Sequence, residues 1–166
     1  MDNVMAEFYY LYPSPLGELL IISSDSGLKQ IQFDPENSGQ QSPSGHPLIN
    51  LVRQQLDEYF AGSRTHFDLP LEAEGSAFQN AVWQETLHIT YGQTATYSAI
   101  AQKIGRSNAF RAVGLALGKN PIPIVIPCHR VIGSGGQLTG YGGGLWRKEW
   151  LLKHEKALLH QLHQTH

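Results

Sequence analysis

The sequence predicts an α+β chain in two parts. An amino-terminal antiparallel sheet domain with one helix covers residues 1–71, and a carboxy-terminal, mostly helical domain with helix-turn-helix spacing covers residues 76–166. Three observations predict it. The first third reads as short strands joined by turns, and the second half reads as helices, an order typical of segregated elements. The charge changes sign at Glu72-Ala73-Glu74-Gly75: residues 1–70 sum to -6 and residues 71–166 to +4. A helix start follows at once, because Ser76-Ala77-Phe78-Gln79 fits a capping box in which the Ser hydroxyl and the Gln side chain satisfy free amides of the first turn.

In chain order, the aromatic run Phe8 to Tyr12 ends at Pro13-Ser14-Pro15-Leu16-Gly17, Leu19 to Ile22 follows, and a turn at Ser24 to Gly27 leads to Leu28 to Phe33. Three strands with such short connections form an antiparallel meander. Asn37 to Pro47 is a loop by composition. Ile49, Val52, Leu56, Tyr59 and Phe60 share one helical face, with Gly62 as its stop, and Phe67, Leu69 and Leu71 alternate as a strand would. No catalytic constellation falls in this half, which is assigned a structural role. Beyond the capping box a helix runs to about Leu87. Tyr97 to Ile104 and Asn108 to Leu117 then form two short helices bent at Gly105-Arg106-Ser107. In the second, Phe110, Val113 and Leu117 should face the core, while Ala109, Ala112 and Ala116 make a small-residue line with Arg111 beside it. Such a line admits a nucleic-acid backbone closely, although alanines are also simply good helix formers.

Several classes are excluded. No apolar run reaches the roughly 18 residues that span a bilayer, and the first residues lack the pattern of a signal peptide. One cysteine permits neither an internal disulfide nor a cysteine-based zinc cluster, so no metal site and a reducing cytoplasm are expected. From Thr86 to Lys148 there is no Asp or Glu, yet Lys103, Arg106, Arg111, Lys119, Arg130, Arg147 and Lys148 lie there, an electrostatic footprint suited to a polyanion or a merely solvated basic face.

The chemistry centres on Pro127-Cys128-His129-Arg130-Val131. Thiolate is the reactive form of cysteine, so a neighbouring base and positive charge are needed, and His129 and Arg130 follow directly. A histidine acting as base needs a partner to fix its tautomer. Glu155 lies in the middle of the apolar face formed by Leu145, Leu151, Leu152, Leu158 and Leu159, where a carboxylate must be paired. It pairs either with His129, completing a Cys128-His129-Glu155 relay, or structurally with an arginine such as Arg130. Seven glycines between Gly133 and Gly144 make a pocket wall with Tyr141 as its single aromatic, and the loop lacks the ending of a nucleotide-binding motif. His160, His163 and His166 form a tail with no site proposed.

Asn120-Pro121-Ile122-Pro123-Ile124-Val125-Ile126-Pro127-Cys128-His129-Arg130-Val131, with Arg111-Ala112-Val113-Gly114 before it and Lys148-Glu149-Trp150-Leu151-Leu152-Lys153-His154-Glu155 after it, resembles the O6-alkylguanine-DNA alkyltransferases. The resemblance covers Phe78 to Glu155. It implies a ribonuclease-H-like amino-terminal domain and a winged helix-turn-helix-like carboxy-terminal domain. It also implies irreversible, cofactor-free transfer of an alkyl group from O6 of guanine, with O4-alkylthymine as an alternative substrate, to Cys128 after base flipping in double-stranded DNA. In that scheme His129 takes the thiol proton through a water, Glu155 orients His129, and Tyr97 assists nucleotide rotation and gives a proton to the departing guanine. Arg111 fills the base stack, with Ala109, Ala112, Ala116 and Lys119 beside it on DNA. Asn120 ties the recognition helix to the cysteine turn, Pro123 and Tyr141 line the pocket, and the Val131 carbonyl and Gly142 amide meet the guanine edge. A free monomer with no membrane association is expected. The single cysteine departs from members with a zinc site, and Gly142 stands where some relatives have serine. The relay alone also suits a thiol hydrolase with turnover, and the fold alone suits a lesion-binding module without transfer.

Overall fold

The structure, a computed structural model, describes residues 6–36 and 45–157. Most of the expected 37–47 loop, Leu158 and Leu159 of the last apolar face, and the three tail histidines lie outside the described residues. The chain divides into two compact units, Met1–Glu74 and Gly75–His166.

In the first unit β1 (Phe8–Ser14), β2 (Gly17–Ser23) and β3 (Leu28–Phe33) pair antiparallel in that order. Gly17, at φ 98°, takes the left-handed turn that brings it opposite Ser14. β2 is central and buried from Leu19 to Ser23. Helix α1 (Pro47–Phe60) begins with Pro47 in its first turn and buries Ile49, Val52, Leu56 and Tyr59, with Phe60 half-buried. It is followed by Gly62 at φ 83°, a conformation only glycine adopts without penalty. The expected strand over Thr65 to Leu71 is absent apart from one bridge, Leu28 to Leu71. Its alternation survives, since Phe67, Leu69 and Leu71 are half-buried between exposed Asp68 and Pro70. The backbone groups of Asp68 are taken by the Gln55 side chain instead of a neighbouring strand, and Pro70 has no amide to offer a ladder.

The second unit contains α2 (Ala77–Thr86), β4 (Ala95–Thr96), α3 (Tyr97–Lys103), α4 (Phe110–Gly118), a 3-10 turn (Cys128–Arg130), β5 (Val131–Ile132) and α5 (Leu145–His154). The capping box is present: Gln79 N–H donates to Ser76 Oγ and Ser76 N–H donates to Gln79 Oε1. Trp83 Nε1 donates to the Ala116 carbonyl at 2.9 Å, pinning α2 to α4. β4 and β5 pair in parallel, Ala95 opposite Val131, which places the start of α3 beside the cysteine turn. The last helix is shorter than its periodicity predicts, because Lys156 turns left-handed at φ 66° and leaves Glu155 as the cap. Leu145 is half exposed, and the buried side of α5 holds Arg147 and Lys148 with Leu151 and Leu152. Among the described residues no helix is long and apolar enough to cross a membrane.

Ser76→Ala removes an N-cap and should lower unfolding free energy by about 1 kcal/mol in urea titration. A loss within experimental error would contradict the role of the capping box.

Candidate functional site

The cysteine turn is set up by a strained, buried segment. Ile126 N–H donates to the Ile122 carbonyl at 2.9 Å, and Ile124 between them sits at φ 75°, a conformation costing a β-branched residue roughly 1–2 kcal/mol. Asn120 clasps this segment: its Oδ1 accepts from Ile122 N–H at 2.9 Å, and its Nδ2 donates to the Ile126 carbonyl at 2.9 Å and to Cys128 Sγ at 3.0 Å. Burial pushes the Cys128 thiol up, against the smaller opposing effects of the Asn120 hydrogen bond and the Lys148 charge. The resting group is therefore a thiol that needs a base.

His129 and Glu155 are both buried, and His129 Nε2 lies 2.8 Å from Glu155 Oε2. Arg130 joins them: Nε donates to Glu155 Oε1 at 2.8 Å and Nη2 to Oε2 at 3.0 Å. Both partners weighed for Glu155 are thus engaged together. Burial alone would raise the Glu155 carboxyl, but His129 and Arg130 outweigh it and hold the group far below the ordinary carboxylate range. Burial lowers His129, offset in part by Glu155, so its imidazole rests neutral. An ionised carboxylate only accepts, so Nε2 carries the ring hydrogen. Nδ1 has no hydrogen-bond partner within the protein. The positive charge of Arg130 is directed at Glu155 and not, as its adjacency suggests, at the thiol.

Cys128 lines a pocket of about 540 Å³. α4 contributes Arg111, Gly114, Leu115, Leu117 and Gly118, and Tyr97 and residues 139–142 complete the lining. Tyr97 donates its hydroxyl to the Thr139 carbonyl at 3.0 Å, and Thr139 Oγ1 donates back at 3.2 Å. Burial and the nearby thiol raise Tyr141 well above its ordinary value. Among the described residues no three His, Cys, Asp or Glu side chains are grouped to hold a metal ion.

Residues 77–157 match the DNA-binding domain of the 6-O-methylguanine DNA methyltransferases, and residues 8–73 match the ribonuclease-like domain of the same proteins. A methylated-DNA–protein-cysteine methyltransferase of Methanosarcina barkeri is 44% identical over 153 residues, 90% of this chain and 97% of the relative. This chain belongs to the methylated-DNA–protein-cysteine methyltransferase family. A second member, from Haemophilus influenzae, is 44% identical over 157 residues, 91% of this chain and 87% of its own. The crystal structure of Mycobacterium tuberculosis OGT in complex with DNA superposes with a TM-score of 0.82 at 44% identity, covering 90% of this chain and 92% of that one. An O6-methylguanine DNA methyltransferase from Methanococcus jannaschii gives 0.63 at 27% identity, covering 94% and 93%.

Within this methyltransferase fold, Cys128, Tyr97, Arg111, Tyr141 and Gly142 meet at the pocket, while Asn120 reaches it only through the thiol. Pro123 is buried inside the strained turn and does not line it. Val131 is also outside the lining, and its carbonyl accepts Lys148 Nζ at 2.6 Å. The small-residue line on α4 is interrupted: Ala109 is half-buried, Ala112 is exposed, and Ala116 is 3% exposed under the Trp83 bond. The exposed face is instead Arg111, Ala112, Leu115, Gly118 and Lys119, with Leu115 at 75%. Phe110, expected in the core, is 44% exposed, because the buried stripe is set by Val113, Ala116 and Leu117.

The basic footprint shrinks likewise. Arg130, Arg147 and Lys148 are buried on Glu155 and on main-chain carbonyls. Lys103 lies 3.8 Å from Glu85, and Arg106, Arg111 and Lys119 are exposed. Lys148 is the main residue that sequence reasoning misplaced. Its ammonium, pulled down to about 8 by burial, also donates to the Thr139 carbonyl at 2.8 Å, holding the pocket loop. Only its position in the first turn after a glycine loop could have hinted at this.

The Glu155 carboxyl is depressed in the folded state, so the stability it confers is complete above its unfolded value near 4.5 and is lost as pH falls below it. Glu155→Gln should cost about 3–5 kcal/mol at neutral pH and flatten the acid limb of a melting-temperature series. An acid limb as steep as the wild type's would contradict the buried pairing.

Proposed function

We propose that this protein repairs alkylated double-stranded DNA by moving the alkyl group from O6 of guanine to Cys128, once per molecule and without a cofactor. The observation that carries the reading is the single thiol of the chain lining a pocket shared with Tyr97 and Arg111, beside a buried His129-Glu155 pair. The sulfur forms a bond to the alkyl carbon as the bond from that carbon to O6 breaks. The electron pair stays with the base, and the thiol's proton balances the proton that the restored guanine gains. His129 takes that proton on Nδ1 through a water. Glu155 holds the imidazole for it, Tyr97 supplies a proton to the departing base, and the proton on His129 returns through water to the Tyr97 phenolate, which closes the balance. A thioether has no good leaving group, so the product persists.

A base inside a duplex is out of reach of a buried thiol, so the target must rotate out at a cost of a few kcal/mol. Arg111, exposed at the pocket rim, is placed to occupy the stack left behind. Arg106 and Lys119 are available for phosphates, and Ala109 and Ala112 let the backbone approach closely. Tyr141 covers the base, and the Gly142 amide meets its edge. An added Cβ at Gly142 would stand 3.8 Å from the Gly118 carbonyl, ordinary contact, so the serine of some relatives would fit the same pocket. A reducing cytoplasm suits a lone thiol that must stay unoxidised. The first unit carries no chemistry in this reading.

The test is conversion of O6-methylguanine to guanine in a duplex oligonucleotide. Wild-type protein should restore guanine, and Cys128→Ala should leave the lesion intact while still retarding the duplex in a gel. Restoration by Cys128→Ala would sink the proposal. Arg111→Ala should slow repair in duplex by on the order of tenfold or more while sparing a single strand. Equal rates on duplex would remove Arg111 from that role.

A further inference from the structure

Arg130 has a geometry that the transfer scheme leaves unused. It is buried and all three of its guanidinium nitrogens are engaged: Nε and Nη2 grip the two oxygens of Glu155, and Nη1 donates to the Ile89 carbonyl at 2.7 Å. The guanidinium lies 5.8 Å from the centre of the Tyr91 ring, whose hydroxyl donates to the His154 carbonyl at 3.4 Å. Two parallel contacts fix both the plane and the position of a carboxylate, which one contact cannot.

We propose that Arg130 is a positioning residue for alkyl transfer, gripping Glu155 so that His129 is held as the neutral Nε2–H tautomer with Nδ1 as its basic atom. The proposal rests on the transfer reading above. The guanidinium cation, and not an imidazolium, balances the buried carboxylate. The charged groups facing His129 are Glu155 from the end of α5, Lys148 from its first turn, and Arg130 from its own turn; Tyr91 faces Glu155 and Arg130. Without Arg130, Glu155 would face His129 as an uncompensated anion and draw a proton onto it. An imidazolium cannot accept the thiol proton.

The test uses 15N-histidine-labelled full-length protein, with the His129 signals assigned by their loss in His129→Gln. Wild type should show a neutral Nε2–H imidazole at neutral pH. In Arg130→Met the His129 titration should move up by about one pH unit or more. The transfer rate should then fall on the order of tenfold on the acid side of neutrality and recover in alkali, a pH split that a purely structural defect would not produce. Arg130→Lys, keeping the charge without the double grip, should show a smaller shift in the same direction, and it decides the matter where Arg130→Met does not fold. An unchanged His129 titration in a folded variant, or a rate loss equal at every pH, would overturn the proposal. Wild-type protein with the predicted imidazole signature but no alkyl transfer would overturn the transfer reading, while the His129 shift in Arg130→Met would still report whether Arg130 sets the state of the imidazole.

Discussion

A carboxylate buried away from water persists only when cations and donors replace its hydration, and Glu155 meets that condition with one imidazole and one guanidinium. Much of the second unit hangs on this arrangement. Glu155 caps α5 where Lys156 turns left-handed, so the helix end is fixed against the residues that directly follow the thiol. Arg130 extends the tie to the Ile89 carbonyl beyond α2. Asn120 does the complementary work on the other side of Cys128, bonding the strained turn and the sulfur with one amide group. The thiol is thereby held from both directions, and the left-handed Ile124 lies inside the segment that Asn120 clasps.

The glycine-rich loop is held by a different device. Lys148 is buried, with its ammonium donating to the carbonyls of Val131 and Thr139, while Thr139 also exchanges hydrogen bonds with the Tyr97 hydroxyl. One cation thus fastens β5, the pocket loop and the first turn of α5. Arg147 does the same nearby with the Gly143 carbonyl. A segment so rich in glycine does not define its own path, and these contacts to the Thr139 and Gly143 carbonyls fix it.

The sheet order, the capping box, the two short helices and the pairing demand on Glu155 were legible in the sequence, because each follows from local periodicity or from the cost of burying charge. Alternation from Thr65 to Leu71 reports which side chains are buried and not whether a neighbouring strand is present; Gln55 supplies the partner instead. The end of α5 was hidden because a left-handed lysine carries no composition signal. Charge counting overestimated the basic surface, since a sequence does not distinguish a cation in water from one satisfied by carbonyls, as Arg147 and Lys148 are. The alanine line does not mark the outer face of α4, because Ala116 lies under Trp83 and Leu115 stands in its place at the pocket. The cysteine turn and its relay emerged because a lone Cys beside His lies outside any apolar period, and the family resemblance then named the chemistry.

Cys128 as a single-use acceptor is decided by intact-protein mass spectrometry with an excess of duplex carrying O6-methylguanine. The protein should gain one methyl group, mapped to Cys128, with a matching amount of restored guanine and no further conversion. Continued conversion beyond one equivalent, or conversion with no mass gained by the protein, would contradict it.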